Sequence, residues 1–121
     1  MIAIVDDDIE IAEAIGAWVQ MIGIKCTVHH SAESLIDWMN QLSTKDSKPL
    51  TAAILDINLP GINGLELGKQ LRSSFPDLLI VMVSALRHEE INNLGAIPSN
   101  AHLLRKPYDL DELEGILSQV A

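Results

Sequence analysis

The sequence predicts an α/β fold, a single doubly wound (βα)5 domain in which five strands form a parallel sheet with helices on both faces. Short apolar runs alternate with longer segments whose apolar residues recur at helical spacing, which is the pattern of consecutive βα units. Residues 78–83 form the most apolar run, as expected of a central strand buried on both faces. The chain has 121 residues, 48% of them hydrophobic, so residues 1–121 are expected to form one domain with one core.

The first part of the chain contains two strand–helix units. Residues 2–5 are an apolar strand that ends at an acidic triplet, and helical spacing follows from residue 9 to residue 22, before Gly23. Residues 25–29 predict a weaker, edge-like strand, and Ser31 is the expected N-cap of the next helix. The residues predicted to face the core from these two helices are Ile11, Ala14, Ile15, Trp18, Val19, Ile22, Leu35, Trp38, Met39 and Leu42.

The middle of the chain contains a third unit and the start of a fourth. Residues 43–49 are polar and predict a surface loop, and residues 51–55 predict a strand that ends at Asp56. A loop with Pro60 and Gly61 leads to a helix over residues 64–73. After the strand at residues 78–83 comes the next predicted helix.

The last part of the chain has weaker helical signals at first. A helix is expected over residues 89–94, and Pro98 prevents a longer one. Residues 102–105 predict the fifth strand, and Asp109 with Glu112 predicts a capping box for the final helix. The residues expected to face inward from that helix are Leu110, Leu113, Ile116, Leu117 and Val120.

Charge and composition exclude several classes of function. Eight basic and seventeen acidic residues give a net charge of −9, which opposes binding to nucleic acid or to an anionic membrane surface. Cys26 is the single cysteine, so no internal disulfide is expected. No signal peptide or membrane-spanning run is recognisable, and a cytoplasmic location is the expectation. The histidines share no metal-ligand spacing and are expected at surface or loop positions: His29, His30, His88 and His102.

Polar residues follow the predicted strands where each strand ends. These residues are Asp6, Asp7, Asp56, Ser84 and Lys106. In an open parallel sheet the carboxyl ends of the strands share one edge, and ligands bind there. Several carboxylates close together repel one another unless a cation is present, and an oxygen-only ligand set favours Mg²⁺.

The same residues are suited to phosphoryl transfer. A carboxylate such as Asp56 can attack phosphorus and form an aspartyl phosphate. The metal and the Lys106 ammonium group would offset charge on the transferring phosphoryl oxygens, and the Ser84 hydroxyl would bond the phosphate afterwards.

Four short motifs, in this order, resemble those of the response-regulator receiver family, and the resemblance covers essentially the whole chain. The motifs are Val5-Asp6-Asp7, Leu55-Asp56-x-Asn58-Leu59-Pro60-Gly61-x-Asn63-Gly64, Val83-Ser84-Ala85 and Lys106-Pro107. The resemblance implies a sheet of order 2-1-3-4-5.

The resemblance also implies roles for the site residues. Asp7, Asp56 and the backbone carbonyl of Asn58 would bind Mg²⁺, and Asp6 would act largely through a coordinated water. Asp56 would be the phosphoacceptor, Lys106 would pair with the phosphate, and Ser84 would move to hydrogen-bond it. The Lys106-Pro107 peptide bond would be cis.

The partners implied by the resemblance are those of a signalling switch, with no enzymatic activity beyond self-phosphorylation and slow self-dephosphorylation. A sensor histidine kinase or a histidine phosphotransfer protein would supply the phosphoryl group. A downstream protein or output domain would contact the fourth helix, fifth strand and fifth helix, and phosphorylation would allow a homodimer. Leu103 occupies the position where the family usually has Phe or Tyr, so coupling from phosphate to surface is expected to be weaker or differently built.

Two other classes of function remain open on the residues alone. A small Mg²⁺-dependent phosphatase of the haloacid-dehalogenase type would use Asp6-x-Asp8 as its nucleophile motif, although Glu10 stands where that motif needs Thr or Val and the chain is short for that fold. A flavodoxin-like electron carrier would need a first loop that accepts phosphate, and three carboxylates there would repel it.

Overall fold

Strands and helices alternate along the chain, which the computed structural model describes over residues 1–41 and 50–118. The strands are β1 (Ile2–Val5), β2 (Cys26–His29), β3 (Ala52–Asp56), β4 (Leu79–Ser84) and β5 (His102–Arg105). The helices are α1 (Ile9–Met21), α2 (Ala32–Asn40), α3 (Gly64–Ser74), α4 (His88–Leu94) and α5 (Leu110–Leu117). The predicted loop at residues 43–49 and the predicted core positions Leu42 and Val120 lie outside the described residues.

The sheet is parallel and has the order β2-β1-β3-β4-β5, which confirms the predicted fold class. The strand order reverses between β1 and β3, so their carboxyl ends border the crevice where ligands bind in such sheets. The register aligns Val5 with Leu55 and Asp56 with Val83. The residues that follow these strands therefore lie along one edge.

The core has two layers, one on each face of the sheet. Side chains of α1 and α5 pack on one face, and side chains of α2, α3 and α4 pack on the other. Every residue of β1, β3 and β4 is buried, which is why these strands are continuous apolar runs in the sequence. No helix among the described residues is long and apolar enough to cross a bilayer.

Side-chain caps set where three helices begin, at the same edge of the sheet as the predicted site. Asp8 Oδ1 accepts a hydrogen bond from the Ile11 N–H at 3.2 Å. Ser31 and Asn63 cap α2 and α3 in the same way. Each cap satisfies an N–H group that the first helical turn leaves without a partner, and so fixes the loop that precedes its helix.

The buried face of α1 differs from the predicted one. Its buried residues are Ala12, Ile15, Gly16 and Val19, whereas the predicted core positions Ile11, Ala14 and Ile22 are exposed. Gly16 explains the difference, because a Cβ there would lie 2.8 Å from Val28 Cγ2. The helix approaches β2 along its small residues, and its phase follows from that contact. Leu110 is also exposed, since it is the first residue of α5.

His29 is buried, contrary to the expected surface position. Its side chain lies 2.8 Å from the hydroxyl of Thr27 through Nε2 and 2.8 Å from that of Ser34 through Nδ1. Both ring nitrogens therefore have partners inside the fold. Burial, with a smaller contribution from His30, lowers the pKa of the His29 imidazole.

Candidate functional site

Three carboxylates meet where β1 and β3 end. Asp6, Asp7 and Asp56 each place an oxygen within 4.8 Å of the oxygens of the other two. Asp6 and Asp56 are only 4% and 8% exposed, whereas Asp7 faces solvent. The cluster exists because β1 and β3 are adjacent and parallel, so residues that follow them at the same register must be neighbours.

Lys106 inserts its ammonium group between the two buried carboxylates. Its Nζ lies 3.2 Å from Asp6 Oδ2 and 3.3 Å from Asp56 Oδ2. Its backbone N–H donates to the carbonyl of Ser84 at 2.8 Å, which extends the β4–β5 pairing up to the lysine. The Lys106-Pro107 peptide bond is cis, as expected from the sequence.

Burial and neighbouring charges shift the pKa values of Asp56 and Lys106. The pKa of the Asp56 carboxyl is raised from 3.8 to about 6, chiefly by burial and secondly by the Asp6 carboxylate, while Lys106 and the Asn58 N–H oppose the shift. Burial disfavours the charged form of Lys106, but the carboxylates of Asp56 and Asp6 outweigh that effect and raise the pKa of its ammonium group. Lys106 is therefore charged at neutral pH, and Asp56 is mostly ionised.

The raised pKa of Asp56 predicts that metal-free protein loses stability as pH increases. The folded state holds this proton more tightly than the unfolded chain, so the free energy of unfolding falls between about pH 4 and pH 6, by on the order of 2–3 kcal/mol. Lys106 does not contribute in this window, since its pKa lies above 10.5.

Urea denaturation in the presence of a chelator measures this effect. Asp56→Asn should match wild type near pH 4 and be more stable than wild type at pH 7. If the stability difference between the two proteins were the same at both values of pH, the repulsive cluster would not be the cause.

The loops that carry the acids are held by the acids themselves. Asp6 Oδ1 accepts the Asp8 N–H at 2.9 Å, and Asp56 Oδ1 accepts the Asn58 N–H at 3.1 Å. Behind Asp56, the chain turns so tightly that a Cβ on Gly64 would overlap the carbonyl oxygen of Asp56. The Gly64 N–H donates to the Ile57 carbonyl at 2.9 Å, which fixes the start of α3 against β3.

Ser84 occupies the predicted strand end, but its hydroxyl is engaged locally. Ser84 is 1% exposed, and its Oγ accepts the Leu86 N–H at 2.9 Å. Within residues 1–41 and 50–118, no side-chain hydrogen bond joins Ser84 to Asp56 or Lys106. The structure thus brings four predicted site residues into one cluster and leaves the Ser84 hydroxyl turned to its own loop.

The ligand set fits a hard divalent cation. The three clustered carboxylates supply only oxygen donors, and Asp7 is open to solvent. Mg²⁺ prefers oxygen ligands and keeps several waters, so a half-open acidic cluster is suited to it. The buried, mutually repelling carboxylates would also be stabilised by such a cation.

Two further residues border the site and were not among its predicted members. The Nδ1 atom of His30 lies 3.4 Å from the carbonyl oxygen of Asp6, and its Nε2 atom lies 3.8 Å from Glu13 Oε1. Tyr108 is half-buried, and burial raises the pKa of its phenol. His30 follows β2 directly, so its strand-end position was the sequence signal that pointed to this edge.

Comparison with known proteins gives consistent matches. A family model described as the response regulator receiver domain matches residues 2–118. The DNA-binding transcriptional regulator NtrC of Klebsiella pneumoniae is 30% identical over 118 residues, which is 96% of this chain and 24% of that protein. This chain therefore spans only about a quarter of that relative.

Solved structures are also similar to this chain. The chemotaxis protein CheY4 of Vibrio cholerae has a TM-score of 0.79 at 21% identity, with 99% of this chain and 97% of that chain covered. The response regulator TrrA of Thermotoga maritima, solved in complex with Mg²⁺ and BeF, has a TM-score of 0.75 at 23% identity, with 99% and 97% covered. At these identities the likeness concerns the fold.

Proposed function

The chain belongs to the response-regulator receiver family, and we propose that it is a two-component signalling switch in which Asp56 accepts a phosphoryl group. The observation that carries this proposal is the environment of Asp56. Its carboxylate is nearly buried, shares a cluster with Asp6 and Asp7, and lies 3.3 Å from Lys106 Nζ. The proposed nucleophile therefore lies beside both an acidic cation site and the positive charge of Lys106.

Asp56 is the proposed nucleophile. One carboxylate oxygen forms a bond to phosphorus as the P–N bond of a donor phosphohistidine breaks, and the imidazole leaves with the bonding electron pair and is then protonated. Above about pH 6 the carboxylate is mostly ionised and able to attack. Lys106 is already held in place by its two carboxylate contacts, so it is positioned to pair with a phosphoryl oxygen once one arrives.

The acidic cluster is the proposed Mg²⁺ site. Asp7, Asp56 and the backbone carbonyl of Asn58 would hold the ion directly, and Asp6 would act through a coordinated water. When bound, Mg²⁺ would neutralise charge on the transferring phosphoryl group. Asp6 also holds Lys106 at 3.2 Å, so it orients the ammonium group whether or not its own contact with the metal is direct.

Ser84 is the proposed sensor of the phosphate. Its hydroxyl would exchange the Leu86 N–H for a phosphate oxygen, and this would shift the β4–α4 loop. At the position where the family usually has an aromatic side chain, Leu103 is half-buried and packs against the core layer formed with α2, α3 and α4. We therefore propose that the conformational change at the surface depends on contacts other than those of residue 103.

The proposed partners follow from this chemistry. A sensor histidine kinase or a histidine phosphotransfer protein would donate the phosphoryl group, and a cytoplasmic location is part of the proposal. An output domain or downstream protein would bind near α4, β5 and α5, and a phosphorylation-dependent homodimer is a further proposal. Direct contact with nucleic acid or membrane is not part of the proposal, since the net charge of −9 opposes both.

The phosphatase alternative finds no support in the site. Its second carboxylate would be Asp8, and Asp8 is exposed and serves as the N-cap of α1. It is therefore not positioned as a buried second carboxylate beside Asp6, which would be the nucleophile of that motif.

The number of phosphoryl groups added per chain, compared with the sustained hydrolysis of a phosphate ester, tests the proposed function. We expect incubation with Mg²⁺ and acetyl phosphate to add one phosphoryl group per chain, and p-nitrophenyl phosphate to release no sustained phosphate. Continuous release from p-nitrophenyl phosphate without an accumulating adduct would instead indicate a phosphatase. The two readouts are an intact mass and the absorbance of the nitrophenolate product.

A further inference from the structure

The segment that follows α4 is joined to α3 by two close contacts. Helix α4 has seven residues and ends at Gly95, and residues 95–101, here called the linker segment, run without regular structure to β5. Asn100 takes a left-handed backbone conformation with φ of 59°, which an Asn tolerates better than most residues. Within the linker segment the Ala101 N–H donates to the Pro98 carbonyl at 3.3 Å, and two contacts join the segment to α3.

The first of these contacts joins the linker segment to α3 through a glycine. A Cβ on Gly68 would lie 2.9 Å from Pro98 Cγ and 3.3 Å from Met82 Cε. Pro98 thus sits directly on the backbone of α3, at a distance that leaves no room for a methyl group. A movement of α3 at this turn must move Pro98 as well, since close-packed contacts transmit displacement.

The second contact is made by Arg72, one helical turn further along α3. Its Nε donates to the Ser99 carbonyl at 3.0 Å, and its Nη1 donates to the carbonyls of Pro76 at 3.0 Å and Leu78 at 2.6 Å. The Nη2 atom is buried. One guanidinium group thus joins the linker segment to the α3–β4 loop, using the several fixed donors that only arginine offers.

The other end of α3 is fixed to the phosphoacceptor. Gly64 begins the helix, packs against the carbonyl of Asp56 and donates to the Ile57 carbonyl. A single helix therefore contacts the phosphoacceptor at its first residue and holds the linker segment at Gly68 and Arg72.

We propose that α3 carries the effect of phosphorylation from Asp56 to the linker segment, with Arg72 as the group that couples the two. The proposal rests on the proposed function, because it needs a phosphoryl group at Asp56. Leu103 stands where the family usually has an aromatic side chain that couples the phosphate to the surface. The proposal assigns part of that coupling to α3. The conformation of the linker segment at the protein surface then depends on whether Asp56 is phosphorylated.

Hydrogen exchange measured by mass spectrometry tests this coupling, with Mg²⁺ and beryllium fluoride as the stand-in for the phosphoryl group. In wild type we expect slower exchange at residues 56–64 and a change of exchange at residues 95–101 when both are added. In Arg72→Gln we expect exchange at residues 95–101 on the order of tenfold faster without ligand, because several hydrogen bonds to a charged group are lost. Beryllium fluoride should still protect residues 56–64 in this variant but no longer change residues 95–101.

A second variant covers the case in which Arg72→Gln unfolds. Gly68→Ala keeps Arg72 but forces Pro98 away, and should also uncouple residues 95–101 from the site. Its matched control is Gly115→Ala in α5, where an added Cβ meets nothing within 4 Å, and that variant should respond like wild type.

The failures of the two proposals are distinguishable. If the linker segment of both Arg72→Gln and Gly68→Ala still responded to beryllium fluoride as in wild type, α3 would not carry the coupling. If wild type showed protection at residues 56–64 and no change at residues 95–101, the coupling would be overturned while the proposed function stood. Absence of protection at residues 56–64 in wild type would overturn the proposed function and the coupling with it.

Discussion

Lys106→Met is expected to slow phosphorylation of Asp56 by roughly 100-fold or more, the loss typical when one fixed charge-stabilising donor is removed. Lys106 Nζ lies 3.2 Å from Asp6 Oδ2 and 3.3 Å from Asp56 Oδ2. The substitution therefore removes the positive charge that offsets the negative charges of both carboxylates. Methionine keeps an unbranched stem of similar length but carries no charge. The measurement is the rate at which the intact mass gains a phosphoryl group from acetyl phosphate with Mg²⁺.

The matched control for this variant is Lys69→Met. Lys69 lies on the exposed side of α3, so this substitution makes the same change of charge and of side-chain shape away from the site. We expect its phosphorylation rate to equal that of wild type. Equal slowing of both variants would mean that net charge, and not the position of Lys106, controls the reaction.

Gly64→Ala is expected to lower the free energy of unfolding by about 2–3 kcal/mol, as overpacking does at a site that cannot relax. The added methyl group would overlap the carbonyl oxygen of Asp56, which belongs to the backbone and cannot turn aside. Helix α3 would have to move away from β3, so phosphorylation should be slowed as well. Urea denaturation at neutral pH measures the change.

Gly115→Ala provides the comparison for Gly64→Ala. The same substitution in α5 adds a Cβ with nothing within 4 Å, and alanine is favoured over glycine within helices by about 0.5–1 kcal/mol. Gly115→Ala should therefore be at least as stable as wild type. If Gly64→Ala were as stable as wild type, the close approach of α3 to the Asp56 carbonyl would be wrong.

The sequence predicted which side chains lie together at one edge of the sheet, because the rule behind that prediction is topological. In a parallel sheet, residues that follow neighbouring strands share an edge, so strand assignment alone was enough to group Asp6, Asp56 and Lys106. The strands themselves were recognisable because β1, β3 and β4 are buried on both faces. The roles of Asp56, Lys106 and Ser84 were inferred from their chemistry, whereas the division of metal binding among Asp7, Asp56 and Asn58 came from the family resemblance.

Features that depend on packing between elements could not be predicted in the same way. Ile11 was expected in the core from its spacing, but the approach of Gly16 to Val28 sets the phase of α1. His29 was expected at the surface, yet the hydroxyl groups of Thr27 on its own strand and of Ser34 on α2 lie within hydrogen-bond distance of its ring nitrogens. The hydrogen bonds of Arg72 could not be predicted from the sequence either, because its partners are backbone carbonyls, which every residue has.

The central claim is that Asp56 is the phosphoacceptor, and the most direct measurement is intact mass after incubation with acetyl phosphate. Wild type should gain one phosphoryl group only when Mg²⁺ is present, and the adduct should be stable in acid and labile in base. Asp56→Asn should gain none, whereas Asp77→Asn, at an exposed carboxylate before β4, should behave like wild type. An adduct of equal amount on Asp56→Asn, or on wild type without Mg²⁺, would contradict the claim.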